Sequence, residues 1–133
     1  CNHLGEVISI HFFENHVIGV FPEEFKNLKN LKHLTIINDG YEHEGVENPH
    51  RNIIYYFPED IFSYLTSLTS LHLCFLNMQL DPAYGTLGTG LSKLKNLQHL
   101  SLQENKLTGT IEDKNAWSLF KKLEVIELQG NTL

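Results

Sequence analysis

At 133 residues the chain has the length of one domain, and its 41% hydrophobic and 20% charged content is that of an ordinary globular fold. No run approaches the roughly 18 apolar residues of a membrane span, so this segment contains none. A net charge of -6, with ten Lys and Arg that form no patch along the sequence, argues against nucleic acid, because phosphate binding needs clustered positive charge.

The first predicted element is a strand near 8–12. Val7, Ile10, Phe12, Asn15 and Val17 fit the template L-x-x-L-x-L-x-x-N-x-L with apolar residues in place of Leu. Gly19, Phe21 and Pro22 then lead to Phe25 and Leu28. The pattern restarts at Leu31, Leu34 and Ile36, predicting a strand at 33–36, with Asp39 in the Asn slot. An insertion from Gly40 to Tyr56 delays its continuation until Phe57-Pro58, Phe62 and Leu65. The third unit has Leu68, Leu71 and Leu73, a strand at 70–73, and Leu76 in the Asn slot. A second insertion, from Gln79 to Thr86, precedes Leu87, Leu91 and Leu94. The fourth runs Leu97, Leu100, Leu102, Asn105, Leu107, Gly109 and Ile111, with a strand at 99–102 and Trp117 and Phe120 on the return. The fifth has Leu123, Ile126, Leu128 and Asn131, a strand at 125–128, and stops at Leu133.

The units begin at 7, 31, 68, 97 and 123 and measure 24, 37, 29 and 26 residues before an incomplete last one. Within x-L-x-L-x the two apolar residues are two apart and share one strand face. One unit cannot enclose its own apolar side, so its neighbours must stack on it. The strands should therefore pair in parallel and in chain order. The Asn should turn inward and bond the backbone of the adjacent turn. Phe21-Pro22-Glu23-Glu24 and Phe57-Pro58-Glu59-Asp60 carry helix-start chemistry, so short helices or 3₁₀ turns should form the opposite side.

These residues resemble the plant-type, extracellular class of leucine-rich repeat, whose extended consensus adds L-x-G-x-I-P after the Asn. The chain has Val17-Ile18-Gly19-Val20-Phe21-Pro22 and Leu107-Thr108-Gly109-Thr110-Ile111-Glu112, the last with Glu in the Pro place. The resemblance spans Val7 to Leu133. It implies an α/β solenoid: a right-handed superhelix with a concave parallel β-sheet of about five short strands and short helices or 3₁₀ turns on the convex side. It also implies a second short strand at the Gly-containing stretch, and it makes residues 1–6 the remnant of an N-terminal cap and 7–133 the repeat domain. A segment of a longer protein is the expectation for the ends. Cys1 and Cys74 read either as two free thiols or with Cys1 paired to a cysteine upstream.

The family includes receptor-kinase ectodomains, receptor-like proteins and polygalacturonase inhibitors. The resemblance therefore implies an extracellular or cell-surface module that binds a protein or peptide and, behind these, a glycan. The outward positions of the strands form rows on the concave face. One is Ser9, His33, Ser70, His99, Val125; the next His11, Thr35, His72, Ser101, Glu127; a third Phe13, Ile37, Cys74, Gln103, Gln129; a fourth begins with Glu14 and includes Phe75. Phe13, Ile37 and Phe75 are apolar where the pattern exposes them, as at interaction sites. Gln103, Glu104 and Glu127 make the far end polar and acidic. In the insertion, Tyr41, His43 and Arg51 would widen the contact surface. The alternative is a self-assembling surface or fibre protein that stacks through unshielded repeat ends.

No metal, cofactor or catalytic group is expected. His11, His33, His72 and His99 alternate between rows on strands about 4.8 Å apart, whereas zinc ligands must converge to about 2.1 Å of one ion. His43-Glu44 lacks the second His of H-E-x-x-H, since position 47 is Glu. Cys74 and His72 are two apart on one strand, too far at their bases for a nucleophile and its base. The chain is read as a non-enzyme.

Overall fold

A computed structural model describes residues 1–38, 51–56, 59–78, 91–108, 118 and 120–132. Seven strands are present among them: β1 (Ser9–Phe13), β2 (Ile18–Val20), β3 (His33–Ile37), β4 (Ile53–Tyr56), β5 (Ser70–Cys74), β6 (His99–Ser101) and β7 (Val125–Glu127). Five of them form one sheet in the order β1-β3-β5-β6-β7, every pair parallel. This is chain order once the flank strands β2 and β4 are set aside. β2 and β4 pair with each other in a second, two-stranded parallel sheet.

The alternation along each strand sets the sides. Leu34, Leu71 and Leu100 are in register across the sheet, and Ile36 lies beside Leu73. All five, with Leu31, Leu68 and Leu97, are almost wholly removed from solvent. Each such burial stabilises by roughly 1.5–3 kcal/mol. The matching residues of the outer coils are less covered, since each has a neighbour on one side: Ile10 and Phe12 are partly buried and Ile126 is 43% exposed.

The return segments are 3₁₀ turns at Glu23–Asn27, Glu59–Ser63 and Leu91–Lys93. Pro22 (φ −65°) fixes the chain ahead of the first, and Glu23 and Glu24 complement its start. Phe21 and Phe25 pack with ring centroids 4.2 Å apart. From each return, a tight turn re-enters the sheet: Leu31, Leu68 and Leu97 donate to Leu28, Leu65 and Leu94 at 2.9–3.0 Å.

The asparagine slot corrects two readings of the sequence. Asn105 Oδ1 accepts from the backbone of Leu76 (3.1 Å) and Met78 (3.2 Å) in the previous coil, and Nδ2 donates to Leu73 and Leu102 carbonyls. Asn131 repeats this on Leu107, Leu102 and Leu128. In the second coil the residue that does so is Asn52, not Asp39: its Oδ1 accepts from Asn15 (3.2 Å) and Val17 (3.0 Å). The insertion is therefore 39–51, between Asn38 and Asn52, and not Gly40 to Tyr56. Without those 13 residues the second unit has the 24 of the first. Ile53–Tyr56 is the flank strand β4, with Ile54 in the core, so the second coil keeps the stretch that the sequence seemed to lose. Asn15 in the first coil bonds locally instead, accepting from Phe13 N–H at 2.8 Å.

Candidate ligand-binding face

The residues that could meet a ligand are those the strands turn away from the core. Register puts Ser9, His33, Ser70, His99 and Val125 side by side, and His11, Thr35, His72, Ser101 and Glu127 in the next row. Phe13, Ile37 and Cys74 continue as a third row across β1, β3 and β5. Beyond the strand ends the rows persist: Glu14, Asn38, Phe75 and Glu104 each donate a backbone N–H to the last outward residue of the next coil, at Ile37, Cys74, Gln103 and Gln129.

The chain turns sharply directly after β1 and β5 and three residues past the ends of β6 and β7. Glu14 (φ 48°), Phe75 (φ 59°), Glu104 (φ 51°) and Gly130 (φ 73°) all occupy the left-handed region at the same repeat position. Glycine adopts that conformation at least cost, and a Cβ at Gly130 would oblige the Glu104 carboxylate to move aside. Asn38 alone differs, because the insertion follows it. Its side chain holds the gap closed: Oδ1 accepts from Asn52 N–H (2.7 Å), and Nδ2 donates to the carbonyls of Asn52 (2.8 Å) and Phe75 (2.7 Å).

The outward residues are not equally available. Phe13 is 50% exposed; Ile37, its neighbour in register, and Phe75, one residue past the Cys74 that continues the row, are half-buried. His11, His33 and His99 are exposed; His72, Thr35, Gln103 and Glu127 are half-buried. Cys74 and Ser101, expected to face a ligand, are buried at 5% and 2% exposure. Their small side chains pack together, with Sγ and Oγ 3.2 Å apart and Sγ 3.6 Å from the Ser101 carbonyl. Burial pushes the Cys74 thiol pKa up, outweighing the Ser101 hydrogen bond that would lower it. That is the reverse of what a nucleophile needs, and Cys74 has Ser101 rather than His72 as its partner.

Burial also lowers the His72 pKa; Glu127 opposes it, and His99, His11 and His33 lower it further. His72 therefore feels the charge of Glu127 and of the other three histidines across the sheet. Among the described residues no group of three or more His, Cys, Asp or Glu could hold a metal ion. Arg51 is half-buried, while Tyr41 and His43 lie outside the described residues, as does the second insertion. Cys1 is exposed and, like Cys74, a free thiol.

The cations that look scattered along the sequence are gathered on another side. Lys29, Lys95 and Lys121 occupy one repeat position, in the turn that leads into each strand, with Lys26, Lys32, Lys93 and Lys122 nearby, all exposed. Glu6, Glu23, Glu24, Asp60 and Glu124 are interleaved with them, and Glu23 pairs with Lys26 at 3.4 Å. The flank is mixed in sign.

No family model and no curated relative matches the chain. Solved structures do. One is the BIR3–SERK2 complex from Arabidopsis thaliana, with a TM-score of 0.73 and 25% identity over 98% of this chain and 60% of that one. Another is the plant peptide hormone receptor RGFR1 in complex with RGF2, with a TM-score of 0.70 and 21% identity over 98% of this chain and 21% of that one. The fold is a leucine-rich-repeat solenoid. This chain spans less than two thirds of the length of either neighbour. Among the described residues of the solenoid, no helix is long and apolar enough to cross a membrane.

Proposed function

We propose that the chain is an extracellular or cell-surface recognition module that binds a protein or peptide rather than catalysing a reaction. The observation that carries the reading is the apolar set Phe13, Ile37 and Phe75 on the first three main strands and their ends, left partly open on a concave sheet whose own core is closed. Apolar and aromatic side chains in a shallow, otherwise polar surface are what binding hot spots are made of. A likeness at 25% identity to a chain named for a complex between two proteins supports it. The extracellular or cell-surface setting rests on the same likeness. Self-assembly through the ends and glycan binding are not favoured, since neither neighbour is described as doing either.

The test is selection of peptides from a displayed random library on the folded chain near neutral pH. Selected peptides are then measured against the combined variant Phe13→Ser, Ile37→Ser and Phe75→Ser. Loss of two hot-spot contacts predicts a fall in affinity of at least about tenfold with unchanged circular dichroism. A folded triple variant that keeps full affinity, or a wild-type chain that retains no peptide, would defeat the reading.

A further inference from the structure

Four histidines lie on consecutive strands of the concave sheet, and their register makes a zigzag. His11 on β1 and His72 on β5 lie in one row, and His33 on β3 and His99 on β6 lie in the next. Each is a diagonal neighbour of the one before, with Cα atoms about 7–8 Å apart. His11, His33 and His99 are exposed, and His72 is half-buried between Thr35 and Ser101. The other titratable groups facing them are few. Glu127 on β7 stands in the His72 row, and Cys74 on β5 is buried against Ser101. Glu14 and Glu104 lie just past the ends of β1 and β6. Acidification therefore adds imidazolium charge to two rows whose one carboxylate, Glu127, stands at the β7 edge.

We propose that this zigzag is a proton-gated binding site for an acidic peptide segment, held at mildly acidic pH and released near neutrality. It rests on the recognition reading above and names the ligand's chemistry. An imidazolium donates a charge-assisted hydrogen bond to a carboxylate, and neutral imidazole offers no charge. Same-face side chains of an extended peptide recur about every 6.6–6.8 Å, close to the diagonal spacing of the histidines. A peptide laid along the diagonal from His99 to His72 can therefore set two carboxylates, two residues apart, on those histidines, with its next same-face side chain over Ile37. Burial and the neighbouring histidines resist protonation of His72 in the empty face, with only Glu127 favouring it. A ligand carboxylate supplies the missing counter-charge, so ligand and protons bind together.

Two fluorescein-labelled peptides test it, alike in length and each with a central Phe, one with Glu and one with Gln at every second position. Anisotropy titrations at about pH 5.5 and about pH 7.5 bracket the imidazole range. The Glu peptide should bind at least about tenfold more tightly at the lower pH, as expected if it raises one or more histidine pKa values by about a unit. The Gln peptide should show no such change. His33→Gln and His99→Gln, at exposed positions, should each shrink the pH response. The combination with His11→Gln and His72→Gln should abolish it while leaving circular dichroism unchanged.

Equal affinity of the Glu peptide at both pH values would overturn the proposal. So would a pH response that survives the quadruple His variant, which would assign it to a group outside the zigzag. If the library-selected peptides bind through Phe13, Ile37 and Phe75 with no pH dependence, the proton gate is wrong and the recognition reading stands. If a folded chain binds no peptide at either pH, both are wrong.

Discussion

The two ends of the solenoid close their backbone seams differently. At the distal seam one amide does the work: Asn105 takes two N–H groups from the third coil and gives its own hydrogens to Leu73, Leu102 and Gln103 carbonyls. At the proximal seam the work is divided. Asn52 serves the first coil, but the third coil has Leu76 where an asparagine would serve the second. The Asn52 N–H is satisfied instead by Asn38, from within its own coil. What is fixed is the need to pair buried backbone groups, not the residue that pairs them. An apolar Leu76 is tolerated because Asn38 stands in, and no described buried side-chain N or O atom lacks a partner.

The largest effect should come from breaking the seam that has no deputy. Asn105→Leu leaves the Leu76 and Met78 N–H groups and the carbonyls they face without that amide. Each unpaired buried group costs about 1–3 kcal/mol, so a total loss of about 3 kcal/mol or more is expected. Urea unfolding measures it. Asn38→Ala should also destabilise, and adding Leu76→Asn to it should recover part of the loss, because an amide in the ordinary slot can again serve the second coil. A double-mutant cycle reads that coupling; strict additivity would mean that Asn38 is not the substitute.

A smaller effect should follow from removing the irregularity. Deleting 39–51 joins Asn38 directly to Asn52 and makes the second unit as long as the first. Asn38 must then adopt the left-handed conformation that Glu14, Phe75 and Glu104 adopt at the same position. Asparagine visits that region at little cost, and a shorter connection is entropically cheaper. The shortened chain should fold with a loss of about 1–3 kcal/mol, because the Asn52 N–H loses its Asn38 partner while Leu76 still fills the slot. A chain that no longer folds would show that the insertion belongs to the core. Loss of peptide binding in a chain that still folds would assign it to recognition.

This seam is also where the sequence misleads. The five main strands and their parallel order follow from apolar residues two apart, because burial fixes which face each residue takes. The outward rows follow from the same alternation, so His33 beside Ser70 and His99 was legible. Burial within those rows was not. Cys74 and Ser101 are covered because two small side chains on adjacent strands pack on each other, a relation between units that no single repeat displays. Asn52 was missed because position counting stops at an insertion. One signal could have found it: removing 39–51 from the second unit gives it the 24-residue length of the first and puts Asn52 in the place that Asn15 holds there.

The smallest effect separates the seams from the concave face by their charge. The ladder amides do not titrate, so Asn105→Leu should lower stability equally at every pH near neutrality. His72 should behave differently. Its folded pKa lies below the usual 6.5, mainly through burial, so the unfolded chain binds the proton more readily. The stability this confers is fully present above pH 6.5 and is lost as the pH falls from there through the folded value. Because His72 is only half-buried, solvent screening keeps the effect small. His72→Gln should flatten the fall in urea midpoint between about pH 7.5 and about pH 5.5. Glu127→Gln should steepen it by removing the one neighbour that favours the charged form. If both variants leave the pH slope untouched, the histidines do not sense one another across the sheet, and the face lacks the electrostatic coupling that an acidic ligand would exploit.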